Sequence, residues 1–129
     1  VAGGSGVVPL MAMVRHRARS GSSTPTRLLV SSRSFDEIIY REELERLAAP
    51  RDGLEVIHTL TRSQPDGWTG HARRIDEAML AEVLAPLGAS ARAFLCGPTS
   101  LVENAANALV RLGLPPARIR TERFGPTGS

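Results

Sequence analysis

Apolar residues recur along this chain in two rhythms. Short runs of aliphatic and β-branched residues lie at Arg27–Ser32, Leu54–Leu60, Ala91–Cys96 and Arg118–Glu122. Between them, apolar positions repeat at helical spacing over Val7–Arg19, Asp36–Ala48, Asp76–Leu84 and Thr99–Leu112. The runs Leu54–Leu60 and Ala91–Cys96 are continuous enough to predict strands buried on both faces. In the second helical segment Ile38, Ile39, Leu44 and Leu47 form an apolar stripe, leaving Glu42, Glu43 and Arg46 mainly to solvent. Asp36 or Ser34 is placed to cap that helix; Pro98 and Thr99 open the last one, and Gly113 closes it before Pro115. Gly21–Thr26 and Ser63–Gly70 read as loops. Strands alternating with helices imply right-handed crossovers onto a parallel sheet. The expectation is an α/β, Rossmann-like doubly wound domain with five parallel strands in the order 3-2-1-4-5.

The first strand of that order is short. Only Val1 and Ala2 precede the glycine turn Gly3–Gly6, whereas the first strand of a doubly wound sheet is central. Residues 1–129 therefore read as one domain with a truncated first strand, a piece of a longer enzyme. By itself such a piece would leave its second and fourth strands short of a partner, and is expected to fold poorly.

Composition narrows the classes. The chain has 129 residues, enough to bury a core, with 42% hydrophobic and 22% charged residues. One cysteine rules out an internal disulfide and makes a cytoplasmic setting the default. No run is long and apolar enough to predict a membrane span. All 16 basic residues are arginine, against 13 acidic ones. A net charge of +3 invites a nucleic-acid reading, but the arginines are dispersed and only five aromatics are present, so nucleic acid is not expected as a partner. Arginine's planar fork does suit phosphate. His16, His58 and His71 show no metal-ligand spacing, and no metal site is expected.

Two strand–glycine–helix junctions carry the candidate chemistry. In Ala2-Gly3-Gly4-Ser5-Gly6-Val7-Val8-Pro9, glycines let the backbone turn sharply and let a phosphate approach a helix start rich in unpaired N–H groups. The segment is neither a G-x-G-x-x-G fingerprint nor a P-loop. Leu95-Cys96-Gly97-Pro98 repeats the arrangement at the end of the fourth strand. Taken alone, Cys96 reads as a small buried apolar residue.

These two segments, together with Glu122-Arg123-Phe124 near the end, resemble in order and spacing the C-terminal nucleotide domain of the ferredoxin–NADP reductase superfamily. The resemblance covers essentially the whole chain. It implies a bacterial FAD-dependent oxidoreductase whose N-terminal FAD-binding barrel is the absent partner domain. By this resemblance Gly3, Gly4, Ser5, Gly6 and Pro9 cradle the dinucleotide pyrophosphate. Cys96, Gly97 and Pro98 lie beside the nicotinamide, with Cys96 and Glu122 at the catalytic position. Phe124 falls where relatives end in an aromatic that covers the flavin. This chain instead continues through Gly125–Ser129, so either Phe124 or that tail would lie along the FAD. Ser32, Arg33, Thr61, Arg62 and Arg74 match positions around the adenosine 2′-phosphate. An NAD-selective site commonly places an acidic residue near the second strand end, where this chain has Ser32-Arg33. NADP(H) is therefore expected ahead of NAD(H), with electrons passing to an iron–sulfur or haem partner such as a ferredoxin, an oxygenase or a haem protein.

Two other readings remain open at this level: an NADH-using reductase component of an oxygenase, and a regulatory module that binds nucleotide without redox chemistry. A receiver-like signalling domain would need an acidic cluster at strand ends, and none is present.

Overall fold

A computed structural model of the chain describes residues 1–125; the end of the tail, 126–129, lies outside the described residues. The elements follow in the order β1 (Ala2–Gly3), α1 (Val7–Arg19), β2 (Thr26–Ser32), α2 (Arg41–Ala48), β3 (Leu54–Leu60), α3 (Glu77–Leu84), β4 (Ala93–Pro98), α4 (Thr99–Arg111) and β5 (Ile119–Phe124). All strand pairs are parallel, and the sheet order is β3-β2-β1-β4-β5, as the alternation predicts.

Period-two alternation on the strands sorts the core into two halves. Leu28 and Val30 of β2 and Cys96 of β4 meet Val7, Leu10, Met11 and Val14 of α1 and Leu44 of α2 on one face. Leu29 and Leu95 point the other way, against Met79 and Leu80 of α3 and Val102, Ala105, Ala108 and Leu109 of α4. The two-residue β1 pairs with both neighbours, Ala2 opposite Val30 and Cys96, and Gly3 opposite Ser31.

The structure departs from the sequence expectations in four places. The predicted helix over 36–48 is shorter: Phe35–Glu37 form a single 3-10 turn, and α2 begins only at Arg41. Breaking the helix at Ile38, which is extended at ψ 117°, lets Ile38 bury while Ile39 and Tyr40 pack against the α1 side. Tyr40 re-enters the helix in the left-handed region, φ 60°. Arg15 lies 5.0 Å over its ring and pairs with Glu43 at 2.8 Å, holding that turn against α1. Neither Ser34 nor Asp36 caps through its side chain; the Ser34 hydroxyl donates to Glu37 instead.

β4 runs later than expected, from Ala93, and takes in Gly97 and Pro98 because they pair with Arg123 and Phe124. β5 is correspondingly Ile119–Phe124 rather than 118–122. Finally, β3 is an edge strand, so Val56, Ile57 and His58 are only half-buried instead of enclosed on both faces.

Candidate functional site

Parallel strands bring all their carboxyl ends to one edge, and the sheet order reverses between β1 and β4 there, which opens a crevice. The turn out of β1 is shaped by this edge. Gly4 takes φ +54° with open space where a Cβ would stand. Gly6 packs so tightly on β4 that a Cβ would lie 2.0 Å from the Cys96 carbonyl oxygen. The glycine turn and Cys96-Gly97 therefore meet backbone to backbone. Gly4, Ser5, Val8 and Pro9 are exposed along the outer lip, and no side chain caps the start of α1. A glycine turn leading into a helix start that no side chain caps is a fit for a phosphate-bearing ligand.

Across the crevice Cys96 is 2% exposed, within the α1-side core, while Glu122 stands opposite it on β5 and is exposed. Burial pushes the Cys96 thiol up, and the neighbouring Glu122 carboxylate pushes it further in the same direction. The thiol is therefore neutral at ordinary pH, suited to shaping a surface and unsuited to nucleophilic attack. Phe124 pairs with Pro98 in register and is 39% exposed at the rim.

The second group of candidates lies at the ends of β2 and β3. The Thr61 N–H donates to the Ser32 carbonyl at 2.9 Å, and the Arg62 and Ser63 N–H groups donate to the Arg33 carbonyl at 2.9 and 3.1 Å. These bonds hold Ser32, Arg33, Thr61 and Arg62 together on adjacent loops. Seven arginines pair with carboxylates among the described residues. Arg33, Arg62 and Arg74 are exposed and form no ion pair among the described residues. Asp36 and Glu37, the acidic residues nearest the end of β2, sit on the 3-10 turn, with Glu37 taken by Ser34.

The family described as the oxidoreductase NAD-binding domain matches residues 1–107. The chain belongs to that family. It is the nucleotide-binding domain of the ferredoxin–NADP reductase superfamily, the superfamily that the glycine turn, Cys96-Gly97-Pro98 and Glu122-Arg123-Phe124 resemble. It is 33% identical over 124 residues to NADH-cytochrome b5 reductase 1 of Emericella nidulans, covering 92% of this chain and 40% of that protein. It is 32% identical over 128 residues to the ferredoxin–NAD(P)(+) reductase component of the naphthalene 1,2-dioxygenase system of Pseudomonas putida, covering 99% of this chain and 38% of that protein. Among solved structures, the cytochrome b5 reductase domain of Ulva prolifera nitrate reductase superposes with TM-score 0.84 at 25% identity, over 94% of this chain and 46% of that one. The chain thus spans less than half the length of these relatives. Among the described residues, no helix is long and apolar enough to cross a membrane.

Two residues of β3 stand out in the structure: Thr59, which sequence reasoning passed over, and His58, which it set aside only as a metal ligand. Thr59 is fully buried, and its hydroxyl donates to the Arg73 carbonyl. His58 keeps a buried Nδ1 without a hydrogen-bond partner, lining a cavity of about 350 Å³ with Phe35, Arg41, Glu45 and Trp68. Burial pulls its pKa down, so the ring is neutral. Within the run Leu54–Leu60 Thr59 looked like an ordinary strand residue, since a threonine in a strand carries no mark of the partner it will meet.

Proposed function

We propose that this chain is the nucleotide-binding half of an NADPH-dependent flavoprotein reductase, working with an FAD-binding domain and passing electrons to an iron–sulfur or haem protein. Three exposed arginines with no carboxylate partner among the described residues support the NADPH assignment: Arg33 and Arg62 on the adjoining loops after β2 and β3, and Arg74 on the segment that His71 and Arg73 tie to β3. A phosphate dianion needs several donors, and each charge-assisted bond is worth about 1.5–3 kcal/mol. In this reading Gly3, Gly4, Ser5, Gly6 and Pro9 hold the pyrophosphate, while Ser32, Arg33, Thr61, Arg62 and Arg74 surround the adenosine 2′-phosphate.

The bound nicotinamide and FAD would supply the hydride chemistry. Cys96, Gly97 and Pro98 would give the nicotinamide a close backing, and the neutral thiol would add shape without charge. Glu122 stands within reach of the same place, where it orients the ring. Phe124 covers the rim toward the flavin. Gly4, Glu122 and Phe124 stand exposed along the crevice edge. An open edge of this kind is what a second, flavin-carrying domain would close.

A second reading, an NADH-dependent reductase component, is favoured by the name of the Emericella relative, an NADH-cytochrome b5 reductase. The two separate in one experiment on the flavin-loaded enzyme. Arg33→Ala and Arg62→Ala should each raise KM for NADPH roughly five- to thirtyfold and leave NADH kinetics within about twofold. Equal losses with both dinucleotides would show that the arginines serve the shared pyrophosphate or the fold, and the NADH reading would then stand.

A further inference from the structure

β3 is an edge strand, yet its carboxyl end is not bare. His71 lies alongside Thr59 in a parallel bridge, and the Leu60 N–H donates to the His71 carbonyl at 3.0 Å. The same carbonyl accepts the Trp68 indole N–H at 3.0 Å. Two residues further along that segment, the Thr59 hydroxyl donates to the Arg73 carbonyl and accepts from the Arg73 N–H at 3.4 Å. The Arg73 guanidinium is also taken, by both oxygens of Asp76 at 2.6 and 3.2 Å. Asp76 in turn caps α3 by accepting the Met79 N–H at 2.9 Å. Arg74 thus hangs between two fixed points, and its own side chain is exposed with no ion pair among the described residues.

Thr59 is the anchor of this arrangement. It is 0% exposed, the most buried polar residue among those described, and one hydroxyl satisfies both main-chain groups of Arg73. A valine would fill the same volume and fit an edge strand equally well. A buried hydroxyl is retained at a desolvation cost that only its hydrogen bonds offset, and here those bonds fix a loop whose next residue is an unpaired arginine.

We infer that Thr59 is a positioning residue for dinucleotide selectivity: through Arg73 it sets the 71–76 segment so that Arg74 meets the adenosine 2′-phosphate. The role rests on the assignment of Arg33, Arg62 and Arg74 to that phosphate. Thr59 touches no ligand itself, so its loss acts on the difference between NADP(H) and NAD(H) and leaves the common pyrophosphate contacts at the glycine turn alone.

The test measures dissociation constants of NADP+ and NAD+ by calorimetry on the full-length protein, with kcat/KM for both reduced dinucleotides beside them. Thr59→Val is expected to weaken NADP+ about five- to tenfold with NAD+ within about twofold, the size of one misplaced charge-assisted contact. Thr59→Ser, which keeps the hydroxyl, should restore the ratio. Trp68→Phe removes the other side-chain donor to this segment and should shift the ratio the same way. A Thr59→Val protein that loses both dinucleotides equally, or neither, overturns the role. Should Thr59→Val not fold, an unchanged ratio in Trp68→Phe overturns it. A parent protein that binds the two dinucleotides alike removes the arginine assignment first, an outcome distinct from a discriminating parent whose Thr59→Val variant still discriminates.

Discussion

Cys96 shows how one residue's surroundings choose its chemistry. Burial and the Glu122 carboxylate both raise its thiol pKa, so thiolate reactivity is disfavoured at the proposed nicotinamide site. What remains is a side chain of a given size packed among Ala2, Val7, Leu10 and Val30. Cys96→Ser is therefore expected to keep NADP+ affinity within about threefold while slowing hydride transfer tenfold or more, since a misplacement of about 1 Å can cost about a hundredfold. Stopped-flow flavin reduction in the loaded enzyme reads this directly, and an unchanged rate would return Cys96 to plain core packing. His58 is the contrasting case. Its pKa lies below the ordinary 6.5 because burial disfavours the charged ring. Its contribution to stability is thus present above that value and declines as pH falls through its depressed folded pKa.

Among elements, the contact between the glycine turn and β4 decides most. Gly4 and Gly6 look alike in the sequence but serve different needs. Gly4 needs its positive φ, with nothing within 4 Å of the place a Cβ would occupy. Gly6 needs room, because a methyl there would overlap the Cys96 carbonyl. Gly6→Ala has to separate α1 from β4 at the crevice, and is expected to cost about 3 kcal/mol of stability and to weaken dinucleotide binding at least roughly tenfold. Chemical denaturation and calorimetry would measure the two effects; a stable variant that binds normally would show that the turn can shift without penalty. The α2 region makes the same point about the limits of periodicity. Ile38, Ile39, Leu44 and Leu47 match one helical stripe on paper, but burial of Ile38 is achieved by unwinding, and the Arg15–Tyr40 and Arg15–Glu43 contacts that hold the turn are long-range.

The whole molecule presents the crevice at the carboxyl edge of its sheet and an exposed strand beside it. β5 is half-buried only at Ile119, and Glu122 and Phe124 stand exposed beside the crevice. If the chain is one half of a reductase, it should not oxidise NADPH efficiently with free FAD. We expect turnover below roughly a hundredth of that of the enzyme carrying its flavin domain, because the lost orientation is worth many powers of ten in effective concentration. Steady-state NADPH oxidation by residues 1–129 with added FAD checks this, and efficient turnover would mean that no second domain is required.

Much was legible from local order alone. Alternating strand and helix patterns determined a parallel sheet with right-handed crossovers, because steric rules leave few ways to wind such a chain; the 3-2-1-4-5 order, expected from the two strand–glycine–helix junctions, is the one the fold adopts. The same junctions located the crevice, since parallel strands necessarily deliver their carboxyl ends to one edge. Partnership was decided only in three dimensions. That Gly6 abuts the Cys96 carbonyl, that Thr59 reaches Arg73, and that among the described residues Arg73 is ion-paired while Arg74 is not are facts about residues brought together across the fold. Hydrogen bonds and ion pairs depend on distance and direction between groups, and a linear pattern of residue types carries neither.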